Sequence, residues 1–338
     1  MITLDLQENI IRIVKARNVS GQIEIELIAY QSETPPFFEL DTEKILIEET
    51  KIVKKAFDIL NINKKPINIV VPDGFTYSQI VYMPRLKEKE LLSAVKYQAD
   101  QFIPMPLEDT SLDLEIIYED KNQNRLLVLI VAAPQKLIER VQGLVERIGL
   151  YPESIESELS ATGRFLNSFY QPATPEGGTI FINIGFSYTS FYYFDHKLKL
   201  FTDSHNFQGG LSVFLREAQV DINIDIMKSK NLLKTIGFAH DPNYDLDRIL
   251  KPATDELTTE IQKFINSLRV KFQINAVNQL YLINLSSEIN HIDKKIQNNT
   301  GVPTAVFNPL TLTKKTSVTE PFLKDLPSFI AAIGGSLD

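Results

Sequence analysis

Thr179-Ile-Phe-Ile-Asn-Ile184, Gly185-Phe-Ser-Tyr188, Thr189-Ser-Phe-Tyr-Tyr-Phe194, Asp195-His196 and Lys197-Leu-Lys-Leu-Phe-Thr202 read as strand, turn, strand, turn, strand. The same order stands at the head of the chain. Ile2 to Leu6 alternate, Gln7-Glu8-Asn9 turns, Ile10 to Ala16 is a second run, and Gln22 to Tyr30 a third beyond Asn18 and Gly21. In that third run Ile23, Ile25 and Leu27 fall on one side and Glu24 and Glu26 on the other, the period of two that marks a half-solvated strand. Few residues are shared between the two passages, yet the order of elements is the same. A chain that opens each half with a three-strand meander reads as a duplicated fold. Gln171-Pro-Ala-Thr-Pro-Glu-Gly-Gly178 is the connector, and it divides two lobes near residue 177.

Working outward, each meander runs into alternating helix and strand. The spacing predicts helix 43–61, strands 67–71 and 78–82, an amphipathic helix 86–102, and strands 112–118 and 125–133. The run Leu126-Leu-Val-Leu-Ile-Val131 is apolar enough to be buried on both faces. A helix from Pro134 to Ile148 stops at Gly149. After Gly209-Gly210 come helices near 211–219 and 225–236. A longer one at 254–274 carries Leu257, Ile261, Phe264, Ile265, Leu268 and Phe272 at helical spacing. Strand 279–285, helix 289–298, strand 304–307 and a terminal helix from Leu326 close the chain. The class is α/β with mixed sheets, because the meanders argue against a purely parallel doubly wound sheet.

Composition removes several kinds of function. The 338 residues, 43% apolar and 23% charged, are ordinary for a globular chain of two domains. No apolar run approaches the ~20 residues needed to span a bilayer. The first residues lack the basic and apolar regions of a signal peptide. With no cysteine there are no disulfides, thiolate metal sites or cysteine nucleophiles, which fits a reducing compartment and a soluble cytosolic chain. The net charge of −8 carries no bulk footprint for nucleic acid. His196, His205, His240 and His291 form no helical i,i+4 pair and no His-x-His pair, so they read as surface or satisfied histidines rather than ligands. There is no Gly-x-Ser-x-Gly elbow and no Gly-Lys-Ser/Thr phosphate loop.

Specific residues then carry a resemblance. Tyr77-Ser-Gln-Ile-Val-Tyr-Met-Pro-Arg-Leu86 is followed by Lys89-Glu-Leu-Leu-Ser-Ala-Val-Lys-Tyr-Gln-Ala-Asp-Gln-Phe-Ile-Pro-Met-Pro-Leu107 and the strand Leu112-Asp-Leu-Glu-Ile116. Leu127-Val-Leu-Ile-Val-Ala-Ala-Pro134 with Gly149-Leu-Tyr-Pro152, Gly209-Gly210, and Gly301-Val-Pro303 leading to Asn308-Pro309-Leu310 complete the pattern. Together they resemble the type IV pilus assembly protein PilM family over essentially the whole chain. The resemblance implies a two-lobed actin-like ATPase fold related to FtsA, with duplicated meander cores and an inserted α/β subdomain. On that reading the first-lobe core is 1–65, 151–176 and 321–338, and the insertion is 66–150. The second-lobe core is 177–212 and 276–320, and its helical subdomain is 213–275. The resemblance further implies a cytoplasmic scaffold recruited to the inner face of the cytoplasmic membrane without inserting into it. There it docks the short amino-terminal tail of a PilN-like inner-membrane protein, alongside other pilus motor and platform proteins.

In actin-like folds the nucleotide is held by hairpin turns whose glycines let backbone amides approach the phosphates. By resemblance, the residues for such a ligand are Asp5, Gln7, Arg12, Asn183, Gly185, Gly209 and Gly210, with Asp5 for the metal. All three turns depart from the pattern. Gln7 replaces a glycine and Glu8 sets a carboxylate where phosphate charge belongs. Asn183 replaces an acid beside bulky Phe186 and Tyr188, and Ile283-Asn-Leu-Ser-Ser287 has no glycine. The expectation is a degenerate site with no catalytic residue. Mg-ATP is the one cofactor that Asp5, Gly185 and Gly209-Gly210 still leave open, and a functional ATP-binding protein or a GspL-like type II secretion component are the alternatives. For the partner's tail the candidates are Tyr97, Phe102, Ile103 and Met105 as anchors and Gln101 as a polar contact. The competing reading is that Tyr97, Phe102 and Ile103 pack the insertion against its own sheet.

Overall fold

The computed structural model describes residues 1–103, 105–272 and 277–337, without the side chains of 88, 89 and 98–102. Two compact units divide the chain. One holds Met1–Tyr170, Leu312–Pro321 and the last residues from Ala331, and the other holds Gln171–Thr311 and Phe322–Ile330.

In the first unit β1 (Ile2–Leu6), β2 (Ile10–Val19) and β3 (Gln22–Ser32) form the expected meander, and α1 (Glu43–Ile59) follows. The Thr42 hydroxyl caps α1 by accepting the Ile45 N–H. β4 (Pro66–Val71) then returns parallel to β1, and β5 (Tyr77–Pro84), α2 (Glu88–Phe102), β6 (Thr110–Asp120) and β7 (Arg125–Pro134) follow. α3 (Gln135–Arg147), β8 (Tyr151–Ser157) and α4 (Glu158–Phe169) complete this stretch. The main sheet has the order β3-β2-β1-β4-β8, with β4 and β8 parallel to β1. One detail departs from strict alternation. Ile23, Ile25 and Ile28 share one buried face while Leu27 turns to the other and packs against the main core, because the β2–β3 ladder slips by one residue at Lys15/Ala16.

β5, β7 and β6 form a separate antiparallel sheet with β7 in the middle. Leu126, Val128 and Ile130 meet Leu91 and Val95 of α2, while Leu127 and Leu129 are buried on the opposite face. This accounts for the continuous apolar run in β7. The inserted piece is narrower than the expected 66–150. β4 belongs to the main sheet, and Val141, Leu144 and Val145 of α3 lie in the main core with Leu4, Leu6 and Ile69. The insertion is 72–134.

The second unit repeats the plan. β9 (Gly178–Ile184), β10 (Thr189–Asp195) and β11 (Leu200–Phe207) are the second meander. Helices α5 (Leu211–Ile222), α6 (Ile226–Thr235), α7 (Leu246–Ile249) and α8 (Lys251–Phe272) come next. β12 (Val277–Asn284), α9 (Ile292–Thr300) and β13 (Thr304–Val306) finish the sheet, whose order is β11-β10-β9-β12-β13 with β12 parallel to both β9 and β13. Both five-stranded sheets are thus a meander plus two parallel strands in the same spatial order. The expected end of helix 254–274 lies outside the described residues.

The last segments cross over differently from the expected boundaries at 320 and 321. Residues 312–321 belong to the first unit because the Ile23 N–H donates to Leu312 O and the Lys314 N–H to Ile23 O, extending the β3 edge. Residues 322–330 belong to the second. α10 (Ile330–Ser336) then ends in the first unit, where Gly334 lies against Ala161 and Gly335 against Thr3 and Val70.

Candidate functional site

The first candidate turn is built on β1 and β2. Asp5 and Arg12 are opposite one another in the ladder, both buried. Arg12 Nη1 donates to Asp5 Oδ2 at 2.9 Å, and Gln7 Nε2 donates to Asp5 Oδ1 at 2.7 Å. The turn closes with the Gln7 N–H on Ile10 O at 3.0 Å, and the Glu8 side chain is buried. Both oxygens of Asp5 therefore accept hydrogen bonds from the protein itself. A charge-assisted pair of this kind is strong when its partners are held in place, and removing one partner strands a buried charge. This arrangement is a poor fit for a metal-holding carboxylate, since the guanidinium already neutralises its charge and would repel a cation beside it.

The second turn joins β9 to β10. Asn183 Nδ2 donates to the Tyr192 hydroxyl at 3.0 Å, and the Gly185 N–H donates to Tyr188 O at 2.9 Å. A Cβ on Gly185 would stand 2.6 Å from the Tyr188 ring and 3.0 Å from its carbonyl oxygen. The glycine is thus required by internal packing. The same holds for Gly209, where a Cβ would meet the Phe207 ring at 2.5 Å. A Cβ on Gly210 would stand 2.6 to 2.7 Å from the carbonyl oxygens of Gly185, Phe186 and Tyr188.

α5 starts at this point. The amino end of a helix has N–H groups without helical partners and attracts anions. Here the Leu211 N–H donates to Gly185 O at 3.0 Å and the Ser212 N–H to Phe186 O at 2.8 Å. The Thr189 hydroxyl donates to Gly209 O at 2.7 Å. The turn's own carbonyls thus occupy the first two N–H donors of α5.

The third turn follows β12. It lacks glycine, yet Asn284 holds φ 61°, ψ −123°, a backbone region that ordinarily belongs to glycine. Of the histidines, His196 is buried with Nε2 2.9 Å from the Thr179 hydroxyl, a satisfied core residue. Among the described residues, no group of three or more His, Cys, Asp or Glu side chains comes together as a metal site.

The candidates for a partner divide. Tyr97 on α2 is 90% exposed, whereas Ile103 is 4% exposed and packs on Ala132 with Tyr77, Met105, Leu107 and Leu112 around it. Ile103 is therefore packed in the insertion's own core. Met105 is half-buried in the same cluster. The side chains of Gln101 and Phe102, and all of Pro104, lie outside the described residues. Of the acidic residues near β6, Glu119 pairs with Arg85 at 2.6 Å and Asp120 with Arg125 at 3.1 Å. Sequence reasoning passed over Asp73, Glu158 and Arg140, which sit where the insertion joins the core. Their partners are distant in sequence, so no local pattern marks them.

Two sheets of identical order, each a meander plus two parallel strands, with an insertion in the first unit, define an actin-like fold. Solved structures agree. The chain aligns with 99% of its length to 97% of a chain in the "PilM-PilN type IV pilus biogenesis complex", with TM-score 0.84 and 17% identity. It also matches the ethanolamine utilization protein EutJ from Carboxydothermus hydrogenoformans (TM-score 0.55, 10% identity, 99% and 88% of the two chains). MreB5 of Spiroplasma citri bound to AMPPNP is a further match (TM-score 0.54, 12% identity, 98% and 93%). The family model "Type IV pilus assembly protein PilM" matches residues 3–338, and the chain belongs to that family.

Proposed function

We propose that this protein is a scaffold of the type IV pilus assembly machine that works at the inner face of the cytoplasmic membrane. It binds the cytoplasmic amino-terminal tail of a PilN-like protein and does not turn over nucleotide. Membership of the PilM family and the likeness to a chain of a PilM–PilN complex support the partner. The observation that carries the rest is self-occupation of the turns. Arg12 and Gln7 take both oxygens of Asp5, and Gly185 and Phe186 take the first N–H groups of α5. Asn183 can supply neither an anionic ligand nor a general base. The tail lies extended between the insertion and the main core of the first unit, with Tyr97 as the exposed aromatic within reach of α2's solvent face.

The test is thermal shift and calorimetry with Mg-ATP, Mg-ADP and a synthetic peptide of the PilN-type tail from the same genome. A ligand that binds only the folded state raises the melting temperature by mass action, so even weak affinity registers at millimolar concentration. The expected result is a shift with peptide and none with either nucleotide. Gln7→Gly with Glu8→Ser should then create Mg-ATP affinity where there was none. A clear nucleotide shift in the unaltered protein would overturn the scaffold reading. Absence of peptide binding would overturn the partner.

A further inference from the structure

The insertion is attached to the core by two strands of chain, Pro72–Thr76 going out and Pro134–Gln135 coming back, and such an attachment is ordinarily a hinge. Here the outgoing connection is clasped directly, and the returning one leads straight into a helix that is held. On the outgoing side, the Asp73 N–H donates to Glu158 Oε2 at 3.2 Å and Asp73 Oδ1 accepts the Leu159 N–H at 3.2 Å. Asp73 and Glu158 are both buried, so this reciprocal pair ties the root of the insertion to the first turn of α4. The Phe75 ring lies 5.1 Å from Phe38, and Phe38 lies 5.2 Å edge-on from Phe37.

On the returning side, Arg140 of α3 reaches the same loop. Its Nη1 donates to Phe37 O at 2.5 Å and its Nη2 to Leu40 O at 2.8 Å. The guanidinium lies 4.3 Å over the Phe37 ring, and Nε is 3.5 Å from Asp41. The loop between β3 and α1 thus touches the outgoing connection through Phe38 and, through Arg140, the helix into which the returning connection leads. α3 adds a lever, because it continues directly from β7 while its Val141, Leu144 and Val145 lie in the main core.

We infer that Arg140, acting through Phe37, Phe38 and the 37–41 loop, is a positioning residue. It holds the insertion in the orientation that receives the partner's tail, without touching the tail itself. The inference rests on the tail-binding reading for its functional consequence, and on the clasp alone for its mechanical one. A planar fork with two carbonyl acceptors and a ring beneath it is a role that lysine cannot fill.

The experiment compares the unaltered protein with Arg140→Met and with Phe38→Leu, the second kept as a gentler variant should the first fail to fold. Amide exchange is followed on the free protein, and calorimetry measures the tail peptide well below the melting temperature. The expected result is faster exchange confined to 77–84 and 110–134, with 2–19 unchanged. If the competent orientation falls to about a tenth of molecules, the apparent Kd rises about tenfold. Uniformly faster exchange, or none, in a folded variant would overturn the clasp. Localised exchange with an unchanged Kd would overturn the positioning role. Should the unaltered protein fail to bind peptide, the tail reading falls, and the exchange pattern still decides the clasp.

Discussion

Glu49 of α1 is fully buried, and neither of its carboxyl oxygens has a hydrogen-bond partner among the described residues. Burial raises its pKa from 4.5 to about 8, opposed only in part by the charge of Arg140. Between those values the folded protein keeps a proton that the unfolded chain releases. Stability therefore falls as pH rises from about 4.5 to 8, by up to ~1.4 kcal/mol per pH unit, and levels off above. Glu49→Met, unbranched and of similar length, should flatten that slope and gain about 1–4 kcal/mol at pH 8. Melting curves from pH 5 to 8.5 would show it, and an unchanged slope would locate the titrating group elsewhere. Nothing in Ile45-Leu-Ile-Glu-Glu49 distinguishes Glu49 from Glu48 as a sequence. The helix phase, with α3 packed on α1, buries one and leaves the other half-exposed.

The hairpin turns show what a local reading reaches at the level of elements. Gln7, Glu8 and Asn183 were legible as departures from a phosphate-binding pattern because they are changes of residue type. The reason for keeping Gly185 was not legible, since it depends on where the Tyr188 ring lies. A Cβ there would stand 2.6 Å from that ring, so Gly185→Ala should cost about 1–3 kcal/mol. Tyr188→Ala removes the ring, so the double variant should be less destabilised than the two single losses added together. Urea denaturation of the four proteins decides it, and strict additivity would mean the ring does not impose the glycine. Longer elements were read closely where they are periodic. The helix expected at 43–61 is Glu43–Ile59, and the strand expected at 125–133 is Arg125–Pro134. β8 and α4 were missed. β8 is a largely polar edge strand with no alternation to detect, although Ser157 offers a capping signal for α4.

For the whole molecule the informative feature is the return of the chain's end. Ile333-Gly-Gly-Ser-Leu-Asp338 reads as a tail that either docks or frays, and through residue 337 it docks. Gly334 presses on α4, where a Cβ would stand 1.9 Å from Ala161 O. The Ser336 hydroxyl donates to Val14 O at 3.0 Å. Gly334→Ala should therefore cost more than a typical overpacking substitution, at least about 3 kcal/mol, and expose residues from 331 onward to protease. A variant that melts within a degree or two of the unaltered protein would show that α10 can slide without loss.

By itself the sequence determined the duplicated order of strands, turns and helices and the α/β class. Periodicity, turn chemistry and residue type are properties of neighbours in the chain. Only the tertiary structure decided that Ile103 is core while Tyr97 is exposed, and that 312–321 belong with β3. It alone brought Asp73 to Glu158 and Arg140 to Phe37. The pairings of Asp73, Arg140 and residues 312–321 join groups about 85 to 290 residues apart, brought together by burying apolar faces that no local window contains.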